Sequence, residues 1–198
     1  MGNLKSVSNA FELIGEKVEI TNKITNIKNS DAIVLPGVGS FAQGMKNLEK
    51  LGLLEILNVE ILEKKKPYLG ICLGLEFLAD RSYEDGITKG FGWIKGEIKK
   101  LSDKNNFKIP HMGWDDTVNG DSNGLFKDMK NPIFYYVHSY YFDIHYSEEK
   151  YITSKCQYGE NQINSSIQKN NIYAVQFHPE KSQETGLKII KNFVDIIN

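Results

Sequence analysis

Cysteine is scarce. The 198 residues hold two, Cys72 and Cys156, far apart and in no CxxC pair. A disulfide framework is therefore not expected, and a reducing cytoplasm is the natural compartment. No apolar run approaches the roughly 20 residues that span a bilayer. The N-terminus has no basic segment leading into a long apolar one, so it does not read as a secretory signal. Neither sign of charge dominates: the formal net charge is −1. That gives no reason to expect a nucleic-acid or membrane surface. The four histidines form no HxxxH pair and stand at no metal-ligand spacing from a cysteine, so neither a metal site nor a cofactor is expected. Repeats, low-complexity tracts and linkers are also missing. So is one expected element. The chain opens on a helical pattern, MGNLKSV, with no strand ahead of it, whereas a doubly wound sheet normally opens with a central strand feeding that helix. The expectation is that Met1 is an internal methionine of a slightly longer natural chain and that the first strand of the fold is absent here.

What is present suits a full core, since 40% of the residues are hydrophobic. One α/β domain over residues 1–198 is the default at this length. Leu4, Val7, Phe11 and Ile14 recur at helical spacing up to Gly15. KVEIT (17–21) reads as a short strand, and DAIVLPG (31–37) as a buried strand ending in a turn. Residues 41–63 carry a helical pattern broken near Gly52. PYLGIC (67–72) is another apolar strand, and LGLEFLAD opens a helix. This alternation predicts a mostly parallel, doubly wound sheet covered on both faces. The middle differs: GWIKGEIKKL (92–101), IPHMGWDD (109–116), IFYYVHSYYFD (133–143), YITSKCQYG (151–159) and IYAVQFHPE (172–180) read as short strands between turns. They predict an antiparallel section ahead of a final amphipathic helix, 184–197.

Gly70-Ile71-Cys72-Leu73-Gly74 lies where a strand runs straight into a helix. A tight turn there projects its middle residue at the carboxyl edge of the sheet, as in the nucleophile elbow of GxSxG hydrolases, here with sulfur. Glycines on both sides let the backbone bend without a side-chain clash. The helix N-terminus favours the thiolate, which is the attacking species. The competing reading is a buried structural cysteine, and a base elsewhere in the chain decides between them. His178 supplies one. It ends a strand pattern, with Pro179 holding it extended and Glu180 two residues on. One ring nitrogen can then reach Cys72 while Glu180 accepts from the other, the logic of a nucleophile–base–acid triad. Taken alone, HPE also fits a solvated surface turn. Acyl transfer further needs N–H groups for the carbonyl oxyanion. The loop Gly37-Val38-Gly39 follows a strand of the same sheet, and the N–H of Val38 or Gly39 with that of Leu73 is the candidate pair. Cys156, in a strand pattern, reads as structural.

PGVGSF, GICLG, HMGW, YYVHSYYF and QFHPEKS, in this order, resemble the triad-type (class I) glutamine amidotransferases, and more narrowly the glutaminase subunits of imidazole glycerol phosphate synthases. The resemblance covers essentially the whole chain, and MGNLKSV matches the start of the family's first helix. It implies hydrolysis of glutamine to glutamate and ammonia through a thioester on Cys72, with His178 protonating the ammonia. It implies a (β/α)8-barrel synthase subunit as heterodimer partner, receiving the ammonia for histidine biosynthesis. Glutamine-contacting positions map onto the PGVG loop, position 76 and the Ser139–Tyr140 backbone; His111, Met112, Trp114 and Lys181 lie where the family faces its partner and the ammonia passage. Tyr136 and Tyr140 join Met112 and Trp114 as candidates for the interface, with core packing as the alternative for each. One departure stands out. The family usually has Gln where this chain has Glu76, one helical turn from Cys72. The carboxylate is expected to raise the thiol pKa and alter glutamine affinity. Two rival functions remain at this point: a paralogue supplying ammonia for nucleotide-sugar amidation in surface-polysaccharide synthesis, and a stand-alone γ-glutamyl cysteine hydrolase.

Overall fold

A computed structural model of the chain describes residues 3–104, 107–119 and 124–197. The sheet that positions everything else is built from strands β1 (Ile33–Gly37), β2 (Tyr68–Cys72), β7 (Val118–Asn119), β10 (Ile152–Tyr158), β11 (Asn161–Lys169) and β12 (Ile172–Val175), in the order β1-β2-β12-β11-β10-β7. β1, β2 and β12 are parallel, and β11, β10 and β7 add antiparallel. Side chains of the parallel strands alternate between two cores, as the two-residue period of a strand requires. Tyr68, Ile172 and Ala174 join one cluster with Phe41, Leu48 and Phe77. Leu69, Ile71, Tyr173 and Val175 join the other with Phe11, Ile190 and Phe193. Both faces are thus covered, which is why these strands read as continuous apolar runs.

The first cover comes from α3 (Phe41–Lys50), α4 (Leu53–Leu57), a π-helical turn (Asn58–Glu63) and the short α5 (Leu73–Glu76). Ser40 caps α3 by accepting from the Gln43 N–H. The second cover comes from α1 (Leu4–Leu13) and α6 (Gln183–Ile197). A short helix, α2 (Ile24–Asn29), has its last carbonyls held by Lys66, whose Nζ donates to Ile27 and Lys28. Two smaller sheets complete the architecture. One has the order β4-β3-β5-β9, from β3 (Arg81–Ser82), β4 (Thr88–Lys89), β5 (Gly96–Lys100) and β9 (Tyr140–Ile144); the other is the two-stranded ribbon of β6 (His111–Asp116) and β8 (Ile133–His138). No helix among the described residues is long and apolar enough to cross a membrane.

The α/β class, the parallel sheet and the antiparallel section stand as the sequence predicts. Four local expectations do not. KVEIT forms no strand: residues 15–23 join no ladder. The helix after Cys72 stops at Glu76 rather than running through LGLEFLAD. IFYYVHSYYFD is two strands that part at Ser139 and enter different sheets. The polar stretch NQINSSIQK, absent from the strands expected, is β11, the longest strand described.

Candidate active site

Cys72 sits where the sequence places it, but its turn is built differently. The strained residue is Cys72 itself, with φ 53° and ψ −106°, a conformation that costs a non-glycine residue on the order of 1–3 kcal/mol. Gly70 and Gly74 have no positive φ. They are needed for close approach. A Cβ on Gly70 would lie 2.5 Å from the Gly74 carbonyl oxygen, and one on Gly74 would lie 1.9 Å from that of Leu35. The Tyr68 hydroxyl, buried under the turn, donates to the Gly74 carbonyl at 2.8 Å. Packing therefore imposes the strain on Cys72.

Register brings the other pieces to the same edge. Gly37 is paired with Cys72, so the Val38–Gly39 loop leaves the sheet beside the sulfur. Gly39 has φ 96° and open space around its α-carbon. Val175 is paired with Ile71, so the next residue, Gln176, comes level with Cys72. A cleft of about 980 Å³ opens there, with Cys72, Leu73, Glu76, Val38, Gly39, Ser139, Tyr140 and Lys181 in its wall. Gly37 is not in that wall; it packs against Leu73 instead. The Ser139 carbonyl is taken by the Leu101 N–H, and the Tyr140 carbonyl by His138.

His178 and Glu180 form the expected pair. His178 Nδ1 lies 2.7 Å from Glu180 Oε1, with both side chains essentially inaccessible. They meet through the turn Pro179–Lys181 rather than along extended backbone. Asn3 Nδ2 donates to the same carboxylate oxygen. The other ring nitrogen, Nε2, is buried without a hydrogen-bond partner, so the expected bond between His178 and Cys72 is not formed in this conformation. The sulfur's contact is a long donation from Gln176 Nε2, at 3.9 Å. Burying an unsatisfied ring nitrogen costs about 1–3 kcal/mol, and such groups mark places where function outweighs stability.

The electrostatics also differ from expectation. Burial, first, and then the carboxylates of Glu76 and Glu180 push the Cys72 thiol well above its ordinary range, against the lowering effect of the Leu73 N–H. A four-residue helix does not outweigh that burial, so no thiolate is stored at neutral pH. Glu76 is itself pushed up to about 8, again by burial first. Near neutral pH it is mostly protonated, and its charge acts on Cys72 only at higher pH. Gln176, which sequence reasoning missed, binds the two together by donating to Glu76 Oε1 at 3.1 Å as well as to the sulfur. Its signal was available, since Gln176 precedes His178 by two residues.

The expected partner residues divide. Met112 and Trp114 point outward from β6 and are 61% and 48% exposed. Lys181 is exposed at the cleft, its Nζ over the Tyr135 ring. His111 is buried and faces His138, and Tyr136 is fully buried in the core; neither is an outward contact. Cys156 is buried, as a structural cysteine would be.

The family model for class-I glutamine amidotransferases matches residues 2–197. The chain belongs to that family. It is 44% identical over 193 residues to a protein of Campylobacter jejuni named imidazole glycerol phosphate synthase subunit HisH 1, covering 97% of this chain and 94% of the relative. It is also 44% identical over 195 residues to subunit HisH 2 of Methanococcus maripaludis, covering 98% and 95%. A crystal structure described as a glutamine amidotransferase superposes with a TM-score of 0.74 at 14% identity, covering 99% of this chain and 94% of that one, which supports the same fold. In this amidotransferase the Cys72 turn, the Val38–Gly39 loop and the His178–Glu180 pair share one sheet edge.

Proposed function

We propose that the chain is the glutaminase subunit of an imidazole glycerol phosphate synthase, producing ammonia for a (β/α)8-barrel partner in histidine biosynthesis. The observation that carries the chemistry is the strained Cys72 in the cleft wall, with the buried His178–Glu180 pair following the neighbouring strand at the same sheet edge. Relatives named as subunits of that synthase, 44% identical over nearly the full length, support the pathway.

In this reading Cys72 Sγ attacks the side-chain amide carbon of glutamine. His178 Nε2 takes the thiol proton as the C–S bond forms, so no free thiolate is required. The carbonyl oxygen becomes an oxyanion held by the Leu73 N–H and that of Val38 or Gly39. His178 returns the proton to the nitrogen, the C–N bond breaks, and ammonia leaves a glutamyl thioester. Water, deprotonated by the same nitrogen, then cleaves the thioester to glutamate. Glu180 fixes the tautomer with Nδ1 protonated and stabilises the imidazolium. The vacant Nε2 is the atom this cycle needs. Catalytic hydrogen bonds commonly close only with substrate in place. Ammonia released into water at neutral pH is protonated and no longer nucleophilic, so a docked acceptor preserves it.

Glutamine hydrolysis measured with and without the barrel subunit tests the reading. Strong activation by the partner, loss of activity by at least about 10³-fold in Cys72→Ala and complementation of a histidine auxotroph are expected. Full turnover without a partner would make it a stand-alone hydrolase. Partner-dependent glutaminase without complementation would assign the ammonia to another acceptor, such as a nucleotide sugar.

A further inference from the structure

On the inner face of β6, His111 lies between two tyrosines, with ring centroids 4.7 Å from Tyr136 and 4.0 Å from Tyr158. Its protonation follows from its neighbours. His138 Nδ1 is 2.8 Å from the Tyr140 carbonyl, which can only accept, so Nδ1 carries the His138 proton. In a neutral ring the other nitrogen, Nε2, is then bare. That nitrogen is 3.1 Å from His111 Nδ1, so His111 Nδ1 must be the donor. The one proton of a neutral His111 is thereby used.

His111 Nε2 thus presents a lone pair. It is buried and accepts no hydrogen bond. Asp115 Oδ2 is 3.2 Å away, and the Cys156 sulfur completes a trio whose donor atoms all lie within 4.8 Å of one another. With His111 neutral, two acceptor atoms face each other there, an arrangement that a shared cation relieves.

We propose that His111 Nε2, Asp115 Oδ2 and Cys156 Sγ form a binding site for a divalent transition metal, with zinc the best match. The mixed nitrogen, oxygen and sulfur donors suit zinc rather than magnesium or calcium. Donors around tetrahedral zinc sit roughly 3.5 Å apart; His111 Nε2 and Asp115 Oδ2 already stand at 3.2 Å, and all three donors lie within 4.8 Å of one another. Asp115, 33% exposed at its side chain, gives the ion a way in. The hydrogen bond from His111 Nδ1 to His138 is the outer support that a metal-bound histidine requires. On binding, the Cys156 S–H bond breaks, its proton leaves to solvent and the sulfur electron pair goes to the metal. His138 lines the active-site cleft, so the site is one hydrogen bond from the catalytic region. The three ligands lie on two separate strands, and their sequence spacing gives no signal.

The test is a cobalt titration of the full chain after EDTA treatment and dialysis, at pH 7.5. Wild type should develop a thiolate-to-cobalt charge-transfer band that saturates at one equivalent and is bleached by zinc. Cys156→Ala should lose the band, Asp115→Asn should bind at least about tenfold more weakly, and Cys72→Ala should leave the band intact. Asp115→Asn, on the exposed side, decides the matter if Cys156→Ala does not fold. No band in wild type, a band lost in Cys72→Ala, or cobalt affinity unchanged in Asp115→Asn would each overturn the site.

Discussion

Glu76 and Cys72 illustrate how one buried residue sets the behaviour of another. In the folded chain the Glu76 carboxyl is pushed up to about 8 by burial, from an ordinary 4.5. Between those values the folded state holds a proton that the unfolded chain has released, so folding stability falls as pH rises through that window and levels off above it. Glu76→Gln removes the slope. The variant should melt with wild type near pH 4.5 and at least about 4 °C above it at pH 8.5, read by circular dichroism; parallel curves at the two pH values would refute the assignment. Cys72 responds in the same sense, because burial disfavours its anion too. With its thiol held above the ordinary range by burial first, alkylation by iodoacetamide should keep rising through pH 9 without a plateau. A plateau near pH 7 would mean a stored thiolate, as the helix N-terminus alone suggests. Below pH 8 a protonated Glu76 also offers a donor into the cleft, so glutamine affinity measured across pH is expected to weaken above that value.

At the scale of elements, the turn at the end of β2 is held by clashes avoided rather than by contacts made. Gly74→Ala would drive a methyl into the Leu35 carbonyl at 1.9 Å, so it should destabilise by about 3 kcal/mol or more and separate β1 from α5. Gly39→Ala meets open space but sits at φ 96°; it should cost only about 1–2 kcal/mol and shift the loop N–H groups, lowering kcat more than stability. Chemical denaturation with single-turnover glutaminase assays separates the two, and equal stability losses would refute the distinction. The same elements show what the sequence made legible. GICLG and HPE could be placed because each ends an apolar run whose period and length were plain. The reason for the glycines could not, because it depends on Leu35, 39 residues from Gly74 along the chain. KVEIT has strand composition but no neighbour to pair with, and a strand exists only with its partner. β11 was hidden for the opposite reason. Ser165 and Ser166 are fully buried, yet hydroxyl contacts satisfy them: Tyr136 donates to Ser165, and Thr153 and Ser154 meet Ser166 at 2.6 Å. Polarity patterning cannot see a core made of paired hydroxyls.

Across the whole molecule, the β6–β8 ribbon joins a largely buried inner face to an outer face that is exposed. His111, Phe134, Tyr136 and His138 point inward, while Met112, Trp114 and Ile133 are exposed on the outside, the last at 47%. Trp114 has an edge-to-face contact with Tyr135 at 6.0 Å, over which Lys181 also lies. Lys181 lines the cleft, so this aromatic face is continuous with the cleft mouth. An aromatic residue near the centre of an apolar patch is the kind that dominates association, and a partner seated here would cover the route by which ammonia leaves Cys72. Trp114→Ser removes such an anchor while disturbing little of the fold; its melting temperature should stay within about 2 °C of wild type. Affinity for the partner synthase subunit should fall by at least about thirtyfold, equivalent to a loss of about 2 kcal/mol. Partner-free glutaminase should stay at the wild-type level, so titration with the partner subunit should show an activation curve displaced to higher partner concentration with the same plateau. A lower plateau at saturating partner would place Trp114 in the transmission of activation rather than in docking, and an undisplaced curve would put the interface elsewhere on the molecule.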